Sequence, residues 1–172
     1  MPIHRFHNPP AIGKPSGYTH VVEAASPGRI IYIAGQLGLD VDNKLVGGSS
    51  DFRAQAEQTF VNLKNALAAA GVGFEHVVKF NNYLIDMAHL GIFREVRDRH
   101  IDTAAAPAST TIAISNLARP GALIEVEAVA VVPSKGRAEA ARSKVAAAKT
   151  ARRGARPIKT AAKPKARARK HR

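Results

Sequence analysis

An α+β architecture, a mixed sheet with two helices packed on one face, is what this sequence predicts. Runs rich in β-branched residues, bounded by turn residues, read as strands. Two stretches with apolar residues at three-four spacing read as helices lying between strands, which gives the order β-β-α-β-α-β-β. Several strands are apolar on both faces. The sheet face turned away from the helices is therefore expected to be covered by another subunit, making the protein an oligomer.

Tyr18 to Ala24 reads as the first strand, followed by a turn at Ser26-Pro27-Gly28. Arg29 to Gln36 is a strong second strand, and a loop rich in Asp, Asn and Gly runs on to Ser50. Asp51 to Ala70 is the clearest helix: Phe52, Ala56, Phe60, Leu63 and Leu67 form its core-facing stripe. Ser50 or Asp51 can cap its start, and Gly71 ends it. Val77 to Ile85 reads as the third strand. Met87 to His100 reads as a second helix, with Leu90, Phe93 and Val96 inward and Arg94, Arg97 and Arg99 largely outward. Ser109 to Ser115 and Leu123 to Val132 are the last two strands, the second closed by Pro133.

Charge divides the chain in two. Of its 26 Lys/Arg and 13 Asp/Glu, residues 134–172 hold 15 and one, leaving 11 and 12 for residues 1–133. The first 133 residues are expected to form a nearly neutral globular domain. Residues 134–172 are a low-complexity Ala/Lys/Arg tail without aromatic residues. Such a segment buries too little apolar surface to offset its chain entropy, so disorder in isolation is expected. With no cysteine, the sequence carries no disulfide framework and no thiolate chemistry. The first residues lack the apolar core of a signal peptide, and no run is long enough to span a bilayer. A cytoplasmic location is the expectation.

Chemistry concentrates in the last strand. Successive strand residues point to opposite faces. Ile124, Val126, Ala128, Ala130 and Val132 share one face; Leu123, Glu125, Glu127, Val129 and Val131 share the other. Two carboxylates thus sit about 7 Å apart among apolar neighbours. That conflict between burial and charge is where functional sites are expected. His20, His76, His89 and His100 show no metal-ligand spacing, so no metal is assigned. A phosphate-cradling glycine loop and a dinucleotide fingerprint are both lacking, and no cofactor is expected.

Pro107-Ala108-Ser109-Thr110-Thr111, Leu117 and Ile124 to Ala130 resemble the closing signature of the RidA/YjgF (endoribonuclease L-PSP) family. Ile33-Ala34-Gly35-Gln36, Gly17-Tyr18, Val77-Val78-Lys79 and Tyr83 to Asp86 match it too. The similarity spans roughly residues 8 to 133 and leaves out the tail. It implies a chorismate-mutase-like fold, a homotrimer whose sheets line a central barrel, and a ligand cleft at each subunit interface. It also implies hydrolysis of 2-imino or enamino acids to 2-oxo acids and ammonia. By the same resemblance, Glu125 positions or activates water, and Tyr18 and Gly35 line the cleft. The family's carboxylate-clamping Arg falls on Ser109. An Arg offers two parallel charge-assisted hydrogen bonds where a Ser offers one neutral donor, a loss of about 2–5 kcal/mol. Arg94, where a family asparagine falls, or Arg119 in the Leu117–Gly121 loop is expected to supply a guanidinium instead.

Each assignment has a plainer alternative. Glu125 could pair with a cation at an interface, Tyr18 could pack there, and Gly35 could end a strand. Glu127 reads as a structural ion-pair partner. Ser109 has no base nearby in sequence and reads as a cleft wall. The tail resembles linker-histone tails in composition. Arg152, Arg153, Arg156, Lys159, Lys163, Lys165, Arg167, Arg169 and Lys170 are its candidate phosphate contacts. A second function follows from that tail: a non-catalytic trimeric scaffold that binds nucleic acid non-specifically.

Overall fold

The computed structural model describes residues 4–24 and 27–134. The expectations placed on residues 135–172, disorder and the nine nucleic-acid contacts among them, lie outside the described residues. The predicted architecture is found, with one addition at the start. β1 (Arg5–His7) pairs antiparallel with β2 (Val21–Glu23) in a small sheet of its own. Arg5 and His7 reach Glu23 across that pair at 3.3 and 3.2 Å. A three-residue strand is too short to show a period, so β1 left no trace in the sequence pattern.

The predicted first strand over Tyr18–Ala24 shrinks to β2. The chain before it spends its backbone donors elsewhere. Gly17 takes a left-handed turn (φ +72), the Thr19 N–H donates to the Pro107 carbonyl, and the His20 N–H donates to Asn8 Oδ1.

The main sheet has the order β3-β6-β4-β5, comprising β3 (Pro27–Leu37), β4 (Val77–Leu84), β5 (Ala108–Ala113) and β6 (Ile124–Pro133). β6 pairs antiparallel with β3 and with β4, while β4 and β5 run parallel. That parallel pair requires a crossover, and α2 (Leu90–Asp98) provides it. α1 (Phe52–Ala69) packs on the same side of the sheet, with every residue of the predicted stripe buried. The Asp51 side chain accepts from the Ala54 N–H at 3.0 Å, and Gly71 closes the helix with φ +71.

The second helix is shorter than the pattern suggested. Asp86 caps a separate turn, Met87–His89, before α2 begins. Arg94 and Arg99 are exposed as expected, but Arg97 is not: it is 3% exposed. Arg53 and Arg99 converge on Glu95, tying α1 to α2 and holding the Glu95 carboxyl down at about 2.

Between Ile33 and Gln36, β3 advances three residues while β6 advances two, from Ala128 to Val126. This bulge falls on Ala34-Gly35 and re-aims the edge strand. The sheet face away from the helices stays open, with Ile30, Tyr32 and Ile112 exposed, Tyr32 to 78%.

Candidate functional site

Glu125 and Glu127 project from β6 onto the open face of the sheet, level with Tyr83 and Asn81 of β4. Their surroundings differ. Glu127 Oε2 accepts from the Tyr83 hydroxyl and from Asn81 Nδ2, each at 3.2 Å. Both donors are neutral, so Glu127 is held by a polar pair and not by the cation expected of it. Glu125 has no hydrogen-bond partner among the described residues. Burial pushes its carboxyl above the usual range, and the neighbouring charge of Glu127 pushes the same way. Burial also lowers the pKa of Lys79, which donates to Thr110 Oγ1 at 2.5 Å on the same face.

Gly35 is the floor beneath Glu125. A Cβ built on it would lie 1.7 Å from Glu125 Oε1 and 2.5 Å from Cδ. Any larger residue here must push the Glu125 side chain aside. Gly35→Ala is expected to displace the Glu125 side chain, which is flexible at its end, with little change in melting temperature. Glu125-dependent activity should fall sharply. A melting curve beside a turnover assay checks this, and undiminished turnover would refute the contact.

From Gly35 the chain lines an open depression of about 360 Å³, walled by Gln36, Leu37, Leu39, Asp40, Val41, Asn43 and Asn62. Asn62 of α1 anchors its wall, with Nδ2 donating to the Leu37 and Leu39 carbonyls at 2.9 and 2.8 Å. Arg119 donates to the Asn43 carbonyl at 3.1 Å, which puts its guanidinium at the rim. The loop carrying Arg119 is fixed by the fully buried Gln55. That side chain donates to the Gly48 and Gly121 carbonyls and accepts from the Leu123 N–H.

Ser109 and Tyr18 lie elsewhere. Ser109 pairs with Phe80, which pairs with Ala128, so Ser109 stands on the helix-covered side of the sheet. There its hydroxyl accepts from the buried Asn82 at 2.9 Å. Glu125 pairs with Tyr83, one step out of phase, and faces the other way. Within one chain, Ser109 and Glu125 therefore stand on opposite faces of the sheet. Tyr18 stands edge-on to His20 at 5.3 Å, and the Thr19–Pro107 bond sets it beside the start of β5. The strand length from Ala108 to Ile112, the residue level with Glu125, is about 13 Å. Arg94 is exposed on α2 and makes no side-chain hydrogen bond or ion pair among the described residues.

The predicted residues thus fall into two half-sites. Gly35, Glu125 and Arg119 gather toward edge strand β3, and Tyr18 and Ser109 gather at edge strand β5. Sequence reasoning passed over Gln55, Asn62 and Asn82, which are polar residues inside apolar stripes, and Arg97, which the helical stripe itself marks at Phe93 plus four. Among the described residues no group of His, Asp or Glu could hold a metal ion, and no helix is long and apolar enough to cross a membrane.

Residues 9–132 match the sequence model of the Endoribonuclease L-PSP family. The chain is 38% identical over 130 residues to protein DfrA of Myxococcus xanthus, covering 75% of this chain and 93% of that one. It is 36% identical over 110 residues to the 2-iminobutanoate/2-iminopropanoate deaminase of Mus musculus, covering 63% and 78%. Among solved structures, the Rid-family protein YyfB of Yersinia pestis, of unknown function, superposes with a TM-score of 0.67 at 33% identity, covering 76% and 99%. RidA of a Psychrobacter species superposes at 0.56 with 32% identity, covering 66% and 89%. Matched by the family's sequence model over residues 9–132 and by its solved members in three dimensions, the chain belongs to the RidA/YjgF (endoribonuclease L-PSP) family.

Proposed function

We propose that this protein binds and hydrolyses small 2-imino or enamino acids in a cleft completed between copies of the chain. The observation that carries this reading is Glu125: a partly buried carboxylate, without a partner among the described residues, laid over Gly35, which itself lines an open depression. Such a group can hold a water molecule and take its proton. The water oxygen bonds to C2 of the imine while the C=N electron pair moves to nitrogen, which collects a proton. The resulting carbinolamine loses ammonia and leaves a 2-oxo acid. The related mouse deaminase supports this substrate class.

Two half-sites at opposite sheet edges favour a shared cleft, because one chain cannot fold both onto a single ligand. The open face bearing Ile30, Tyr32 and Ile112 supplies the apolar surface for that assembly. A homotrimer is the expected state, checked by native mass measurement; a monomer would overturn the shared cleft.

The primary test is release of 2-oxo acid and ammonia from freshly generated 2-iminobutanoate by the full chain, beside Ser109→Arg. Turnover by the parent above the spontaneous rate is expected. A silent parent with an active Ser109→Arg would make this chain a binding scaffold.

A second reading rests on the charge split, 15 of the 26 basic residues lying after residue 133. If about 6–10 of those cations engage phosphates, nucleic-acid affinity falls about 10³–10⁵-fold between roughly 50 and 200 mM salt, whatever the sequence. Removing residues 134–172 should abolish that binding and leave imine turnover unchanged.

A further inference from the structure

His4 leads into the β1–β2 ribbon and is 3% exposed, and the site described above makes no use of it. Neither of its ring nitrogens has a hydrogen-bond partner among the described residues. The backbone carbonyls of His76 and Val131 face the ring but lie outside hydrogen-bond alignment. A neutral imidazole carries one N–H, and an imidazolium carries two. Either form leaves a buried donor unspent here, and the charged form adds the cost of burying a cation without a partner. The seat tolerates the neutral ring and rejects the charged one.

Among the described residues the ionisable group facing the ring is His76, on the turn before β4, while β6 contributes the Val131 carbonyl. His76 Nδ1 lies 3.0 Å from Glu75 Oε1 and accepts from the Gly73 N–H at 3.3 Å. A proton on His76 is received by Glu75, and it sets positive charge beside His4. Burial lowers the pKa of His4, and that charge lowers it further. On the ribbon itself, Arg5 and His7 both reach the exposed Glu23. Their pairing binds β1 to β2 and strengthens as His7 charges, so acid leaves the ribbon whole. β1 and β2 pair with one another and with no strand of the main sheet. At the other end of the ribbon, the Thr19 N–H donates to the Pro107 carbonyl at 3.2 Å.

We propose that the β1–β2 ribbon is an acid-released strap, seated on the main domain by the neutral His4 ring and lifted when that ring takes a proton. A base whose pKa falls on burial stabilises the seated state fully above its ordinary value. That contribution is lost as pH drops from the ordinary value toward the buried one. Release therefore begins below the ordinary histidine value of about 6.5. Thr19 lies next to Tyr18, so lifting the ribbon unseats the Tyr18 half-site and leaves Glu125 and Gly35 in place. None of this requires the imine chemistry proposed above.

The test is amide hydrogen exchange of the full-length protein at about pH 7.5 and about pH 5.5, corrected for the intrinsic pH dependence of exchange. In the parent, protection over residues 5–7 and 19–23 should fall on acidification while α1 and β4 keep theirs. The fall should be several-fold, up to about tenfold for one histidine released a pH unit below its ordinary value. His4→Phe keeps an aromatic plug without a titratable group and should hold its protection in acid. His7→Gln and His20→Gln remove the other histidines of this segment and should respond as the parent does. Should His4→Phe unseat the ribbon at both pH values, the His4 ring resonances of the parent carry the test. Their titration midpoint should lie below the ordinary histidine value and coincide with the loss of protection. An equal acid loss in His4→Phe, a loss shared by α1, no loss in the parent, or a His4 midpoint at or above the ordinary value would each overturn the strap.

Discussion

Glu125→Gln is expected to reduce imine turnover by about 10²–10⁴-fold, the usual contribution of a positioned general base. The amide keeps the shape over Gly35 but cannot accept a proton from water. The pH profile separates this from a packing effect. Burial, and then the charge of Glu127, raise the Glu125 carboxyl. A base works in its deprotonated form, so kcat/KM should rise with pH through an inflection above the ordinary carboxylate range. Glu127→Gln removes the like charge and should move that inflection to lower pH. Glu125→Gln should lack the limb altogether. A limb that stays put in Glu127→Gln would mean that the two carboxylates do not interact.

The same shift predicts a sign for stability. A carboxyl raised on folding holds its proton more tightly in the folded chain, so its contribution falls as pH climbs from the unfolded to the folded pKa. Above both, the ionised Glu125 works against the fold. The inactive Glu125→Gln protein should melt no lower than the parent at neutral pH, and this is the mark of strain retained at a working site.

Gln55→Leu is expected to be strongly destabilising, although leucine matches the volume of the side chain it replaces. The residue is fully buried on α1, yet its amide satisfies two carbonyls, Gly48 and Gly121, and one N–H, Leu123. Leucine fills the volume and strands all three backbone groups. At about 1–3 kcal/mol per orphaned buried group, the loss should reach about 3 kcal/mol or more. For a domain of this size that is a fall in Tm of roughly 10 °C. Chemical denaturation measures it directly, and a change within about 0.5 kcal/mol, the range of ordinary surface substitutions, would show that Gln55 is no latch. Because Gln55 fixes the loops at 48 and 121 together, Arg119 should lose its place at the rim before the domain unfolds globally.

Much of the fold could be read from the chain because burial imposes periodicity. Phe52, Ala56, Phe60, Leu63 and Leu67 mark the buried stripe of α1, Asp51 marks its cap, and Pro133 ends β6. The Glu125–Glu127 face was legible for the same reason, as charge placed against a strand's apolar alternation. Three features resisted. β1 is shorter than any period. The side taken by Ser109 depends on register with Phe80, and Ser-Thr-Thr does not alternate enough to reveal it. Arg97 occupies the inward position four residues after Phe93, but its charge argued for the surface. In that last case geometry was the better guide than residue type.

In the shared cleft and closed ring proposed above, the division of the site between two edges of one sheet has a consequence for inheritance of damage. A chain spoiled at its β3 edge still lends an intact β5 edge to its neighbour, and the reverse holds. In a closed ring built from two differently damaged chains, somewhere around the circle an undamaged β3 edge meets an undamaged β5 edge. Lesions in the two halves complement one another, whereas two lesions in the same half do not.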